Sequence, residues 1–428
     1  MKPIGLLVAG LVLGASQSFA ASVDTNCIWK AGVASAIITP QTNMWMSGYA
    51  ARKSPSHGKA QDLFAKALAL EDENGTRLVI VTMDIIGVRP WLRQFIEKQV
   101  AERHKLPPQC LLMNASHTHC GPEYREMKEG EQNTGHYTAF LQERLLRIIG
   151  EAIANLAPAR LSQAHARCGF AMNRRLNYAL PKSDPNARKA PNPDGPVDHN
   201  VPVLMVHVNT NLCAALFSYA CHNTTLSSVS MTNNVPRYEF TGDYAGYAQE
   251  TLQAGRPGLT AMFLQGCGAD QNPYPRHYMI PYVKPLEFAQ QHGRTLAYAV
   301  EAAMATHVRP VRGPLRSAFE YVTLEREKKD PKKDSPSRQY PVQVIRFGDD
   351  LTLVALGNEV VVDYSLRLKQ DLAGKAVVWV AGYSNDYGGY IPSLRVLKEG
   401  GYEAPNYTPD IEERIVGKVR ELHDRLNR

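Results

Sequence analysis

The sequence predicts an α/β fold: a mixed, largely buried sheet flanked by helices, with long functional loops at the strand C-terminal ends. Three observations carry that expectation. Apolar runs recur along the chain, segments of helical periodicity alternate with them, and polar clusters stand where the runs stop. The runs at 78–82, 110–113, 201–206, 214–217, 261–264, 351–356 and 376–380 are short and continuously apolar, as buried strands are. Between several of them, 91–102, 138–155, 243–253, 285–305, 360–371 and 411–426 have helical spacing and a charged face. Strands and helices alternating at these lengths imply a sheet that is at least partly parallel. Irregular stretches at 121–135, 172–200, 229–240, 271–284 and 327–340 are rich in Pro, Asn, Gly and charge, the composition of functional rims.

The first twenty residues hold one basic residue, Lys2, an apolar run at 4–14 and a small-residue exit at Ser18-Phe19-Ala20. They read as a signal peptide, so the expected product is exported, periplasmic or secreted. No later run is long enough to predict a transmembrane segment. Residues 21–428 show no repeat, low-complexity block or linker and are expected to form one domain. The net charge of +7 is dispersed, and the Lys-rich stretch at 328–333 is broken by Asp330 and Pro331. It reads as a solvated loop rather than an anionic-partner patch, and no nucleic-acid partner is expected. The 7 cysteines have no C-x-x-C spacing; an odd count leaves at least one thiol outside any intrachain bridge, and connectivity and oligomeric state stay open.

Five polar clusters follow apolar runs: Asn114 to His119, Ser218 to Thr225, Gln265 to Pro273, Gly357 to Glu359, and Gly382 to Tyr390. In open α/β sheets ligands bind beyond the carboxyl ends of strands, so the five clusters are expected to build a single site. His117 and His119 are spaced i, i+2, which in extended backbone aims both imidazoles at one face, one to bind a metal and the other to act on its ligand. Alone, such a pair is equally two surface or core histidines. Likewise His222 could be a hydrogen-bonded core residue, and Glu359 a first-turn carboxylate favoured by the helix dipole. Two histidines, a carboxylate and an open position form a recurrent catalytic zinc set. Zinc supplies an activated water and a polarised carbonyl, the needs of amide or ester hydrolysis.

At this point the chain resembles the neutral, non-lysosomal ceramidases. The resemblance rests on Asn114-Ala-Ser-His-Thr-His-Cys-Gly-Pro122, on Asn385-Asp-Tyr-Gly-Gly-Tyr390 with Tyr402-Glu403 twelve residues later, and on Asp62-Leu-Phe-Ala-Lys-Ala-Leu-Ala-Leu-Glu71 leading to Asp84. Asn173-Arg174 and Asp198-His-Asn-Val-Pro-Val203 echo it more faintly. It implies one zinc per chain, with ligands falling on His117, His222, Glu359 and Tyr390. It also implies an acid/base role for His119, an oxyanion-stabilising role for Tyr402 and a substrate contact for Arg174. Two departures stand out. Gln271 occupies the place of the family's serine and cannot be a nucleophile, so attack would come from metal-activated water, with Asp270, Gln271 and Asn272 left to position substrate. The chain also ends at Arg428, where the family resembles a catalytic domain followed by an immunoglobulin-like one; no such second domain is expected.

The expected function is therefore zinc-dependent cleavage of an N-acyl bond in a small-molecule or lipid-like substrate. One alternative keeps the metal and changes the bond, giving an esterase or a hydrolase of another N-acyl compound such as a cell-wall or glycan derivative. The other is a family member that binds a ligand without turnover.

Overall fold

A computed structural model describes residues 28–126, 135–178, 191–226, 230–232, 235–276, 279–280, 283–327 and 337–428. The expected signal peptide, Cys27 and the Lys-rich 328–333 stretch lie outside the described residues, as do parts of the five long loops. Among the described residues no helix is long and apolar enough to cross a membrane.

Two sheets carry the fold. The larger has nine strands, eight in the order Thr260–Gln265, Asn211–Tyr219, Asn200–Val208, Ala157–Arg167, Trp29–Ile37, Phe64–Asp72, Arg77–Met83, Leu111–Ala115, with Arg309–Val311 also paired to Ala157–Arg167. The smaller runs Leu315–Leu324, Arg338–Phe347, Leu351–Leu356, Val377–Ala381.

The sheets lie face to face. Leu68, Leu70, Leu78, Ile80 and Leu112 of the larger one share a core with Ile345, Phe347, Leu353 and Trp379 of the smaller. The other face of the larger sheet is covered in two halves: Ala65, Ala67, Val79 and Val81 pack on the helices Pro90–His104 and Gly135–Ala154 through Leu92, Ile96, Leu141 and Leu145. Val201, Val203, Ala215 and Phe217 pack on Asp243–Ala254 and Pro285–Met304 through Tyr244, Ala248, Leu252, Leu296 and Val300. Behind the smaller sheet, Val342, Val344, Val354 and Val378 meet Val362–Asp371 and Ile411–Asn427 through Tyr364, Leu368, Ile415 and Val419. The layers are thus helix, sheet, sheet, helix.

The mixed, partly parallel sheet and flanking helices are as expected, with antiparallel pairs outnumbering parallel ones. In the two sheets parallel pairing occurs only between Thr260–Gln265 and Asn211–Tyr219, Arg77–Met83 and Leu111–Ala115, and Leu351–Leu356 and Val377–Ala381. Antiparallel neighbours can be apolar on both sides because both faces of each sheet are covered, so the alternation that usually marks an antiparallel strand is weakened. Phe64–Asp72 and Arg77–Met83 form such a hairpin. Its turn is closed by the Asp72 carboxylate, which accepts from the Asn74 and Thr76 amides, with Gly75 at φ 79°. Six strands escaped the apolar-run reading: Trp29–Ile37, Phe64–Asp72, Ala157–Arg167, Arg309–Val311, Leu315–Leu324 and Arg338–Phe347. Polar residues fall within each of them, and where these are buried they have partners: the Gln343 amide donates to the Gln109 and Leu111 carbonyls.

Candidate metal centre

Strand ends from both sheets open onto one place. Leu111–Ala115 and Asn211–Tyr219 of the larger sheet lead to His117 and His222; Leu351–Leu356 and Val377–Ala381 of the smaller lead to Glu359 and Tyr390. Two asparagines stitch the sheets together at that edge. Asn114 donates to the Gly382 carbonyl at 2.8 Å and accepts from the Gln265 amide at 2.8 Å. The Asn385 side chain accepts from the Met113 amide and Arg93 and donates to Gln343. Glu359 and Tyr390 then pair side by side in a short parallel bridge, with the Glu359 amide donating to the Gly389 carbonyl.

His117 does not continue its strand. The strand ends at Ala115, and His117 takes a left-handed φ of 58°. The i, i+2 argument from extended backbone therefore fails, yet the imidazoles still meet, because the left-handed residue turns the chain and brings the Nε2 atoms of His117 and His119 to 3.2 Å. Asn358, Tyr383 and Asn385 are also left-handed, so four non-glycine residues with strained backbone surround one site.

The donors converge. His117 Nε2 lies 3.1 Å from His222 Nε2, and Glu359 Oε2 is 3.4 Å from the first and 3.5 Å from the second. Tetrahedral ligands at metal–ligand bonds of ~2.0–2.1 Å stand about 3.3 Å apart, so the three atoms fit the edges of a zinc polyhedron. The tautomers agree with that reading. His117 Nδ1 donates to the Ile86 carbonyl at 2.6 Å and His222 Nδ1 to the Gly268 carbonyl at 2.9 Å. Both Nε2 atoms are left with lone pairs that face each other, an arrangement that calls for a cation between them. Burial, then Arg174 and the neighbouring imidazoles, hold His222 well below its usual pKa, hence neutral and able to ligate. For Glu359 burial would raise the pKa, but His117, Arg174 and the Tyr390 hydroxyl outweigh it and keep the carboxylate ionised. His117, His119 and His222 together form a group whose ring nitrogens all lie within 4.8 Å, so His119 is also within reach of an ion.

Around this centre the other expected residues divide. Tyr390 stands beside Glu359, and Arg174 Nη2 donates to its hydroxyl at 3.2 Å. Tyr402 is half exposed, its ring 5.2 Å from that of Tyr390, and the Arg174 guanidinium lies 5.9 Å and 5.8 Å from the two rings. Arg174 is itself buried, with Nε on Glu403 at 2.8 Å and Nη1 on Asn272 at 3.3 Å. Asn272 thus reaches the site through Arg174. Gln271 points its amide at the Pro196 carbonyl, while its own carbonyl accepts from the His222 amide. The Asp270 carboxylate accepts from the Val362 amide and from Asn173. Burial and Asp363 push it up to about 6. Asp270 and Gln271 therefore brace the walls with their side chains.

Several neighbours were invisible in the sequence. Tyr49 stands edge-on to His119 at 4.6 Å, and Tyr383 lies 4.5 Å from His117. Arg175 shares Glu403 with Arg174. Gly48, at φ 95°, lies so close to His119 that a Cβ would sit 2.4 Å from the ring. Alanine at 48 is expected to displace that ring and cut turnover about tenfold or more while bound metal is unchanged. Metal content and kcat measured on the same preparation check this; an unchanged kcat removes Gly48 from the argument.

Comparison with known proteins identifies the family and the fold. The model for the N-terminal part of neutral/alkaline non-lysosomal ceramidases matches residues 29–261, more than half of the 428, and the chain belongs to that family. The fold is similar to that of a crystal structure of neutral ceramidase from Pseudomonas aeruginosa, with a TM-score of 0.76 and 19% identity, covering 93% of this chain and 75% of that one. A ceramidase complexed with C2 is similar too, with a TM-score of 0.76 and 18% identity, covering 93% of this chain and 76% of that one. No curated protein matches the sequence.

Proposed function

We propose that this protein is an exported, zinc-dependent hydrolase that cleaves an N-acyl amide bond in a small-molecule or lipid-like substrate, by activated water and in the manner of a ceramidase. In this reading residues 21–428 are its catalytic domain, and one zinc per chain is held by His117, His222, Glu359 and Tyr390. The observation that carries it is the approach of two imidazole Nε2 atoms and one carboxylate oxygen to within 3.1–3.5 Å of each other.

Zinc bound there would lower the pKa of a water and polarise the scissile carbonyl. His119, with its Nε2 3.2 Å from His117 Nε2, takes the proton from the attacking water and returns it to the leaving amine. Tyr402 donates its hydroxyl to the charge that develops on the carbonyl oxygen. Arg174 orients Tyr390 and is the group to hold a polar part of the substrate. With Gln271 in place of the family's serine, no hydroxyl there competes with water as nucleophile.

The test is metal analysis of the purified protein with hydrolysis assays on N-acyl sphingoid bases, N-acyl amino acids and aryl esters, with and without chelator. Stoichiometric zinc and chelator-sensitive amide cleavage are expected. Ester cleavage alone would move the bond, and absence of zinc would favour a ligand-binding member without turnover. Tyr402→Phe is expected to keep its zinc and lose about 100-fold in kcat; full activity in that variant would remove Tyr402 from the mechanism.

A further inference from the structure

Beside the two site tyrosines lies a pocket of about 420 Å³, lined by Arg326, Gly388, Gly389, Tyr390, Gly401 and Tyr402 among others. Gly389 and Gly401 are at φ 110° and 89° and carry no side chain, so main chain forms part of the wall. Among the described residues no acidic side chain lines it. The other arginines nearby are neutralised: Arg174 by Glu403, Arg175 by Glu403 and Glu399, Arg338 by Asp386. Arg326 differs. Its guanidinium stacks 5.0 Å from the centre of the Tyr407 ring and, among the described residues, has no carboxylate partner and no hydrogen-bond acceptor. A guanidinium held over an aromatic ring without an acceptor keeps N–H groups available for bonds to an oxyanion.

We propose that this pocket holds an anionic group of the substrate, a carboxylate or phosphate a few bonds from the scissile amide, and that Arg326 selects for it. The inference rests on the hydrolase reading above and sharpens it: the preferred substrates are N-acyl compounds whose amine part is acidic, such as N-acyl amino acids, over N-acyl amino alcohols.

Binding is measured first, so that turnover is not required. N-Lauroylglycine, its uncharged amide and N-lauroylethanolamine phosphate are titrated calorimetrically into the wild type, R326K and R326Q at fixed ionic strength, and kcat/KM is taken wherever cleavage occurs. The wild type is expected to bind at least one of the acids about tenfold or more tighter than the amide, with the preference lost in R326Q and partly kept in R326K. The tighter acid identifies the source of the anion. Equal binding of acids and amide, no binding of any of the three, or a preference that survives R326Q, overturns the proposal. An Arg326-dependent preference without any hydrolysis would leave the pocket standing and remove the proposed chemistry. Hydrolysis with no such preference would do the reverse.

Discussion

Alanine at Glu359 is expected to abolish both bound metal and turnover, with kcat lower by three orders of magnitude or more. Glu359 is the only carboxylate within 3.5 Å of both His117 Nε2 and His222 Nε2 among the described residues. Without it the cation faces two neutral imidazoles and loses the charge that offsets its burial. His117→Ala should behave alike, since it removes the nitrogen that lies within 3.1–3.4 Å of the other two donors. Plasma emission spectrometry on both variants, together with hydrolysis assays, is the measurement. An E359A protein that keeps stoichiometric zinc and cleaves substrate would dissolve the donor set proposed for the site.

Glu403→Ala is expected to be the most destabilising single change near the site. One buried carboxylate holds two buried guanidinium groups, Arg174 Nε at 2.8 Å and Arg175 Nη1 at 2.5 Å. Truncation takes a partner from both, and breaking a buried pair of this kind costs about 3–5 kcal/mol. Arg175 keeps Glu399 and the Gly400 carbonyl, so the loss falls mainly on Arg174, which then releases Tyr390. Denaturant unfolding of E403A should show the lower midpoint at an unchanged slope. Glu403→Gln, which keeps one acceptor, should fall between. A variant as stable as the wild type would mean that water reaches this network and screens it.

Much of the site was legible because its chemistry is local. His117, His222 and Glu359 each follow an apolar run by a few residues, and Tyr390, ten residues past its run, was marked by its interval to Tyr402, one of the features behind the family resemblance. The helices were legible for the same reason; Asp243–Ala254 and Pro285–Met304 lie within a residue of their expected bounds. What could not be read depends on contacts distant in sequence. Nothing near Phe64–Asp72 or Leu351–Leu356 says that a second sheet covers the inner face, and that covering weakened the period-2 signal. Tyr49 reaches His119 across about 70 positions, and the partnership of Arg174 with Glu403 spans 229. The extended-backbone argument that paired His117 with His119 failed, because a left-handed turn at a histidine leaves no mark in composition.

One arrangement at the centre has a bearing on how the protein tolerates change. The proton positions on the two imidazoles proposed as ligands are set by the carbonyl oxygens of Ile86 and Gly268, and not by carboxylates or amides on side chains. Every amino acid brings a carbonyl, so no substitution at 86 deletes the acceptor; it can only shift the segment that presents it. At 268 a Cβ would press within 2.8 Å of the Cys221 backbone, so the constraint there is on space and not on polarity. The tautomeric state of the donors is thus inherited from the path of the chain, and drift in the surrounding sequence can proceed without rewriting it.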